Sequence, residues 1–123
     1  MPLVAVVDDE ESVRLAFARM LRASSYEVTV FASGEDFLDS LTARRPDCVV
    51  LDFHMPGMTG RDVQRALALA GIKLPILVVT AHDRPEVREK CLADGAVAYF
   101  AKPLRAADLI AAVASAIKRN AGC

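Results

Sequence analysis

Acidic side chains end two apolar runs of this sequence. Asp8, Asp9, Glu10 and Glu11 follow directly on the apolar run Leu3–Val7, and Asp52 follows Cys48–Leu51. Two more apolar runs also end in reactive residue types. Ile76–Val79 leads into Thr80-Ala81-His82, and Val97–Ala101 leads into Lys102-Pro103. Carboxylates held a few ångströms apart raise one another's pKa unless a cation offsets them. Lys102 offers one such charge, and an all-oxygen ligand set in an open site suits hydrated Mg²⁺. That chemistry requires a fold that gathers all of these positions.

The apolar runs, with Glu27–Phe31 as the fifth, are short and rich in valine, and the stretches between them have helical periodicity. In the first such stretch Val13, Ala16, Phe17, Met20 and Leu21 fall on one face. The second opens at Ser33, a good N-cap, with Asp36 three residues on. A third runs from about Gly60 to Leu69. The fourth has Asp83 as its candidate cap, Pro85 in its first turn and Gly95 as its stop. The fifth follows Pro103 and carries Leu109, Val113 and Ile117 on one stripe. Strands alternating with helices, and apolar throughout, imply a parallel sheet covered on both faces. Five units are too few for a closed eight-stranded barrel, which needs roughly 200 residues or more. The expected fold is therefore α/β: a doubly wound (βα)5 flavodoxin-like sandwich with sheet order 2-1-3-4-5. Such sheets bind ligands at the carboxyl ends of their strands. With the first and third strands adjacent, Asp8, Asp9 and Asp52 converge, and Thr80 and Lys102 lie beside them.

Four motifs, in order and each at a strand end, carry a resemblance: Val-Val-Asp8-Asp9-Glu, Leu-Asp52-Phe-His-Met-Pro-Gly-Met-Thr-Gly, Val-Val-Thr80-Ala81 and Ala-Lys102-Pro103. Over essentially its whole length the chain resembles the receiver domain of two-component response regulators. Tyr99 also sits where that family keeps its switch aromatic. The resemblance implies that Asp52 takes a phosphoryl group from a phosphohistidine on a sensor histidine kinase or a histidine phosphotransfer protein. It implies Mg²⁺ ligation by Asp9, Asp52 and the backbone carbonyl of His54, with Asp8 acting in the same pocket through water. Thr80 Oγ and Lys102 Nζ would contact the phosphoryl oxygens, and the Lys102–Pro103 bond would be cis. Phosphorylation would draw Thr80 inward, Tyr99 would follow, and a distal face would change its affinity for a downstream effector protein or for a second copy of the chain. The Ala-rich last helix, with Ile110 and Ala114 off its main stripe, contributes to that face.

Other features bound the reading. A chain of 123 residues has the length of one domain, so residues 1–123 are expected to form a single receiver. Fifteen basic and sixteen acidic residues, interspersed, give a net charge of −1 and no footprint for direct contact with nucleic acid or a membrane surface. No apolar run approaches the roughly 18 residues needed to span a bilayer, and the first residues lack the basic start of a signal peptide. Cys48, Cys91 and Cys123 are odd in number and far apart, which argues against a disulfide framework or zinc site and for a reducing, cytoplasmic setting. Rival readings are a receiver segment of a longer DNA-binding regulator and a Mg²⁺-dependent aspartyl-phosphate phosphatase. The phosphatase usually carries a second acid two residues after the nucleophile, where this chain has His54. A flavin or nucleotide carrier would want a Gly-, Ser- and Thr-rich loop where the acidic run stands. A pseudo-receiver would lack the intact Asp9, Asp52, Thr80 and Lys102 set. His54 and His82 are read either as solvated loop residues or as groups that tune the access of water to the phosphoryl group.

Overall fold

The structure, a computed structural model, describes residues 1–121; Cys123 lies outside the described residues. Five strands, β1 (Leu3–Val7), β2 (Glu27–Phe31), β3 (Cys48–Asp52), β4 (Ile76–Thr80) and β5 (Ala98–Ala101), alternate with five helices. The helices are α1 (Glu11–Ala23), α2 (Gly34–Ser40), α3 (Gly60–Leu69), α4 (Pro85–Ala93) and α5 (Ala106–Ala121). All strand pairs are parallel, in the order β2-β1-β3-β4-β5, as expected. Among the described residues no helix is long and apolar enough to cross a membrane.

The period-two alternation of side chains divides the three central strands between two cores. Val4, Val6, Cys48, Val50, Leu77 and Val79 pack against α1 and α5 through Phe17, Ala18, Leu21, Leu109 and Val113. Ala5, Val7, Val49, Leu51, Ile76 and Val78 pack on the other face against Phe37 of α2, Val63 and Leu67 of α3 and Cys91 of α4. Burial on both faces is why these strands read as continuous apolar runs. Cys48 and Cys91 are free and buried. Burial pushes their thiols up to about 12 and about 11.

Capping follows sequence at α2, where Ser33 Oγ accepts from the Asp36 N–H. At α3 Thr59 and Asp62 form a full capping box. Gly95, at φ +101°, follows the end of α4 in the left-handed conformation that glycine favours.

Three expectations need correction. On α1 it is Ala18 that is buried, and Ala16 faces solvent. Strands β3 and β4 each run one residue further than expected, taking in Asp52 and Thr80, while β5 starts at Ala98 and leaves Val97 exposed. The N-cap of α4 is Arg84, whose guanidinium has no acceptor and makes no cap bond, while Asp83 accepts from the Tyr99 hydroxyl instead.

Candidate functional site

The strand register sets the site. Val7 pairs with Leu51, so Asp8 and Asp52, one residue on, stand level at the carboxyl edge of the sheet. Thr80 pairs with Ala101, and the Lys102 N–H continues that ladder to the Thr80 carbonyl at 2.8 Å. The Lys102–Pro103 bond is cis, as expected.

Carboxylate oxygens of Asp8, Asp9 and Asp52 all lie within 4.8 Å of one another. Asp8 and Asp52 are buried, while Asp9 is open to solvent. Lys102 Nζ bridges the buried pair, 2.8 Å from Asp8 Oδ2 and 3.4 Å from Asp52 Oδ1. Asp8 is further held through Oδ1, which accepts from the Glu10 N–H at 2.9 Å, and through its own carbonyl, which accepts from Arg14 Nη1 at 2.8 Å. Burial and then the Asp8 carboxylate push Asp52 up to about 7 against the opposing pull of Lys102. Burial works against the Lys102 ammonium, but the hydrogen bond it donates to Asp8 and the charges of Asp52 and Asp8 outweigh it and raise its pKa. Three carboxylates against one lysine leave the pocket short of positive charge. A hard dication with oxygen ligands fits that donor set, and the raised pKa of Asp52 is the mark of the deficit.

Thr80 is fully buried at the end of β4. Its hydroxyl is engaged by the His82 N–H at 3.0 Å and by His54 Nδ1 at 3.1 Å. The His54 ring packs edge-to-face on Phe53 and His82, with centroids 5.0 and 4.7 Å away. Desolvation, then His82 and Arg84, lower the His54 pKa, and the ring itself is exposed. Tyr99 pairs with Val78 across β4 and β5 and points with it into the core shared with α4. Its hydroxyl donates to Asp83 Oδ1 at 3.0 Å, and the Arg88 guanidinium lies 5.9 Å from the ring centroid. Burial raises the phenol above its usual pKa.

The structure brings Asp8, Asp9, Asp52 and Lys102 together, and sets Thr80 at the end of β4, next to the strand that carries Asp52. Sequence reasoning missed Asp83 as the partner of Tyr99, since that tie has no local pattern. It also missed Gly60. A Cβ there would lie 2.7 Å from the Asp52 carbonyl oxygen and 2.8 Å from Phe53 Cα, both main-chain atoms. Alanine would gain up to about 1 kcal/mol of helix propensity, but overpacking rigid backbone costs about 1–3 kcal/mol. Gly60→Ala is therefore expected to lower stability by about 1–2 kcal/mol in urea unfolding. A stabilised variant would show that α3 can slide away from Asp52.

Fold and site together define a doubly wound α/β domain with an acidic, oxygen-lined pocket at the carboxyl edge of its sheet. The response regulator receiver domain family model matches residues 4–114, and the chain belongs to that family. Among curated relatives, the chain is 39% identical to response regulator MprA of Mycolicibacterium vanbaalenii over 98% of its length, and 38% identical to transcriptional regulatory protein TdiR of Thauera aromatica over 95%. It spans about half of these relatives, 52% of each. Among solved structures, a response regulator receiver protein from Burkholderia phymatum is 45% identical, with a TM-score of 0.85 and 96% of both chains covered. Chemotaxis protein CheY4 of Vibrio cholerae is 30% identical, with a TM-score of 0.88 over 94% of this chain and 98% of that one.

Proposed function

We propose that residues 1–123 form one receiver domain whose Asp52 accepts a phosphoryl group from a phosphohistidine on a sensor kinase or histidine phosphotransfer protein. The single observation behind this reading is the Asp8–Asp9–Asp52 cluster bridged by Lys102 and joined to Thr80 through the sheet. The Asp52 carboxylate forms the new P–O bond as the P–N bond to the donor imidazole breaks, and the released imidazole takes up a proton. Phosphoryl transfer passes through a loose transition state, so the protein chiefly positions groups and offsets charge. Lys102 Nζ and the Thr80 hydroxyl are the donors for the phosphoryl oxygens. Asp8, Asp9, Asp52 and the His54 carbonyl would hold Mg²⁺. When bound, it supplies the positive charge that keeps Asp52 ionised and that the phosphoryl oxygens need.

The chain modifies its own aspartate and is not a turnover enzyme. Its output is a conformational state: Thr80 turns to the phosphoryl group, Tyr99 follows, and the face formed by α4, β5 and α5 changes its affinity for a downstream effector or a second copy. A cytoplasmic setting suits such a partner. The half-length match to regulators such as TdiR favours a second arrangement, in which this receiver is one segment of a longer transcriptional regulator.

Incubation with acetyl phosphate and Mg²⁺ tests the acceptor role. Wild type is expected to take up label, and Asp52→Asn none. Labelling of Asp52→Asn at wild-type yield would overturn the assignment.

A further inference from the structure

Of the three clustered carboxylates, Asp9 is the one open to solvent, so packing does not set where its side chain stands. The main chain on either side sets it instead. A residue's φ and ψ are the rotations between its two flanking peptide planes, and each plane is rigid. The plane before Asp9 carries the Asp8 carbonyl, which accepts from Arg14 Nη1 at 2.8 Å. The plane after it carries the Glu10 N–H, which donates to Asp8 Oδ1 at 2.9 Å. Asp8 is itself held fast: its N–H donates to the Phe31 carbonyl at 3.1 Å, and its Oδ2 accepts from Lys102 Nζ at 2.8 Å. Both planes around Asp9 are therefore pinned, one by a side chain of α1 and one by the neighbouring aspartate. Arg14 touches this turn twice, because its main-chain N–H also donates to the Glu10 carbonyl at 3.0 Å. Ser33 and Thr59 cap α2 and α3 with their side chains, but Glu10, the N-cap of α1, makes no such bond. The half-buried Arg14 side chain supplies the tie that the cap does not.

We propose that Arg14 is a positioning residue for the acidic cluster: by holding the Asp8 carbonyl it fixes the Asp8–Asp9 peptide, and with it the direction in which Asp9 presents its carboxylate to a divalent cation. This rests on the Mg²⁺ site proposed above. Arg14 acts through the main chain, and its guanidinium is no ligand. A carboxylate already in place binds a cation more tightly, because a residue ordered only on binding loses conformational entropy at that moment. Charge alone predicts the opposite sign. Removing a cationic side chain from beside a dication site relieves repulsion and tightens binding. The sign of the effect therefore separates positioning from electrostatics.

Two measurements on the full chain test this. The first is titration with Mg²⁺ at constant ionic strength, followed by amide NMR shifts. Arg14→Met, which keeps much of the stem's volume, is expected to bind Mg²⁺ about tenfold more weakly than wild type, the equivalent of ordering one residue. Arg22→Met removes a bond of the same kind at the other end of α1, from Nη2 to the Val28 carbonyl at 3.2 Å, and should bind Mg²⁺ as wild type does. The second measurement is hydrogen exchange of the metal-free protein. The Glu10 amide should exchange about tenfold faster in Arg14→Met, and at the wild-type rate in Arg22→Met. Equal or tighter Mg²⁺ binding by Arg14→Met, the same loss in Arg22→Met, or an unchanged Glu10 amide would overturn the positioning role while leaving the acidic cluster as the metal site. Absence of Mg²⁺ binding by wild type would overturn the metal-site reading and this inference with it.

Discussion

Lys102→Met is expected to destabilise the metal-free protein by about 3–5 kcal/mol near pH 8, the usual cost of removing one partner from a buried ion pair. The lysine lies within reach of two carboxylates, Asp8 at 2.8 Å and Asp52 at 3.4 Å, whose side chains are only 1% and 5% exposed. Methionine keeps much of the stem's volume but leaves both carboxylates without a counter-charge in a place where water cannot screen them. A surface lysine would behave otherwise, since exposed ion pairs contribute about 0–1 kcal/mol. The loss should shrink as pH falls through about 7 and Asp52 takes up a proton. Added Mg²⁺ should also recover part of it. Urea unfolding at pH 8 and pH 5, with and without Mg²⁺, reads all of these. A loss under 1 kcal/mol at pH 8 would show that water reaches the pocket freely.

Asp52→Asn has the opposite sign. Folding raises the Asp52 pKa from the usual carboxylate range, about 4, to about 7. The fold thus favours the protonated acid. The favourable contribution is complete below the unfolded pKa and is lost as pH rises through the folded one. Metal-free wild type should therefore lose stability between about pH 4 and pH 7, by up to about 4 kcal/mol for a displacement of this size. Asparagine does not titrate. The variant should match wild type near pH 4 and exceed it by a few kcal/mol at pH 8. Mg²⁺ should narrow the gap by binding wild type more strongly. Equal stability at pH 8 without metal would mean that Asp52 is ionised at little cost, and the charge deficit attributed to the pocket would be wrong.

These two effects concern residues that the sequence displays openly. Asp52 and Lys102 each follow an apolar run, and a polar residue that ends such a run stands at the edge of a parallel sheet. The sheet order then carries Asp8 beside Asp52. The strand and helix pattern was legible for the same reason: burial on both faces forces an apolar composition that turns and helices lack. Where contrast is low, the reading slips. Ala16 and Ala18 differ too little in hydrophobicity to decide which faces the core, and the packing of Phe17 and Leu21 decides it instead. Asp83 has the composition of a cap and the place of one, yet its carboxylate is drawn to the Tyr99 hydroxyl sixteen residues away. The His54–Thr80 bond spans twenty-six residues and depends on ring orientation. Sequence put both histidines near the pocket but held no sign of which atom they would bind. Gly60 is another such case, because the backbone it must clear belongs to a different element.

The receiver reading comes down to one covalent bond on one carboxylate, among three that lie within 4.8 Å of each other. The protein phosphorylated with acetyl phosphate in the presence of Mg²⁺ can be reduced with borohydride, which converts an acyl phosphate to the alcohol and leaves free carboxylates unchanged. Peptide mapping then reports the modified position. Conversion at Asp52 alone, with Asp8 and Asp9 intact, is the predicted result. Conversion at Asp8 or Asp9, or at no aspartate, would contradict it.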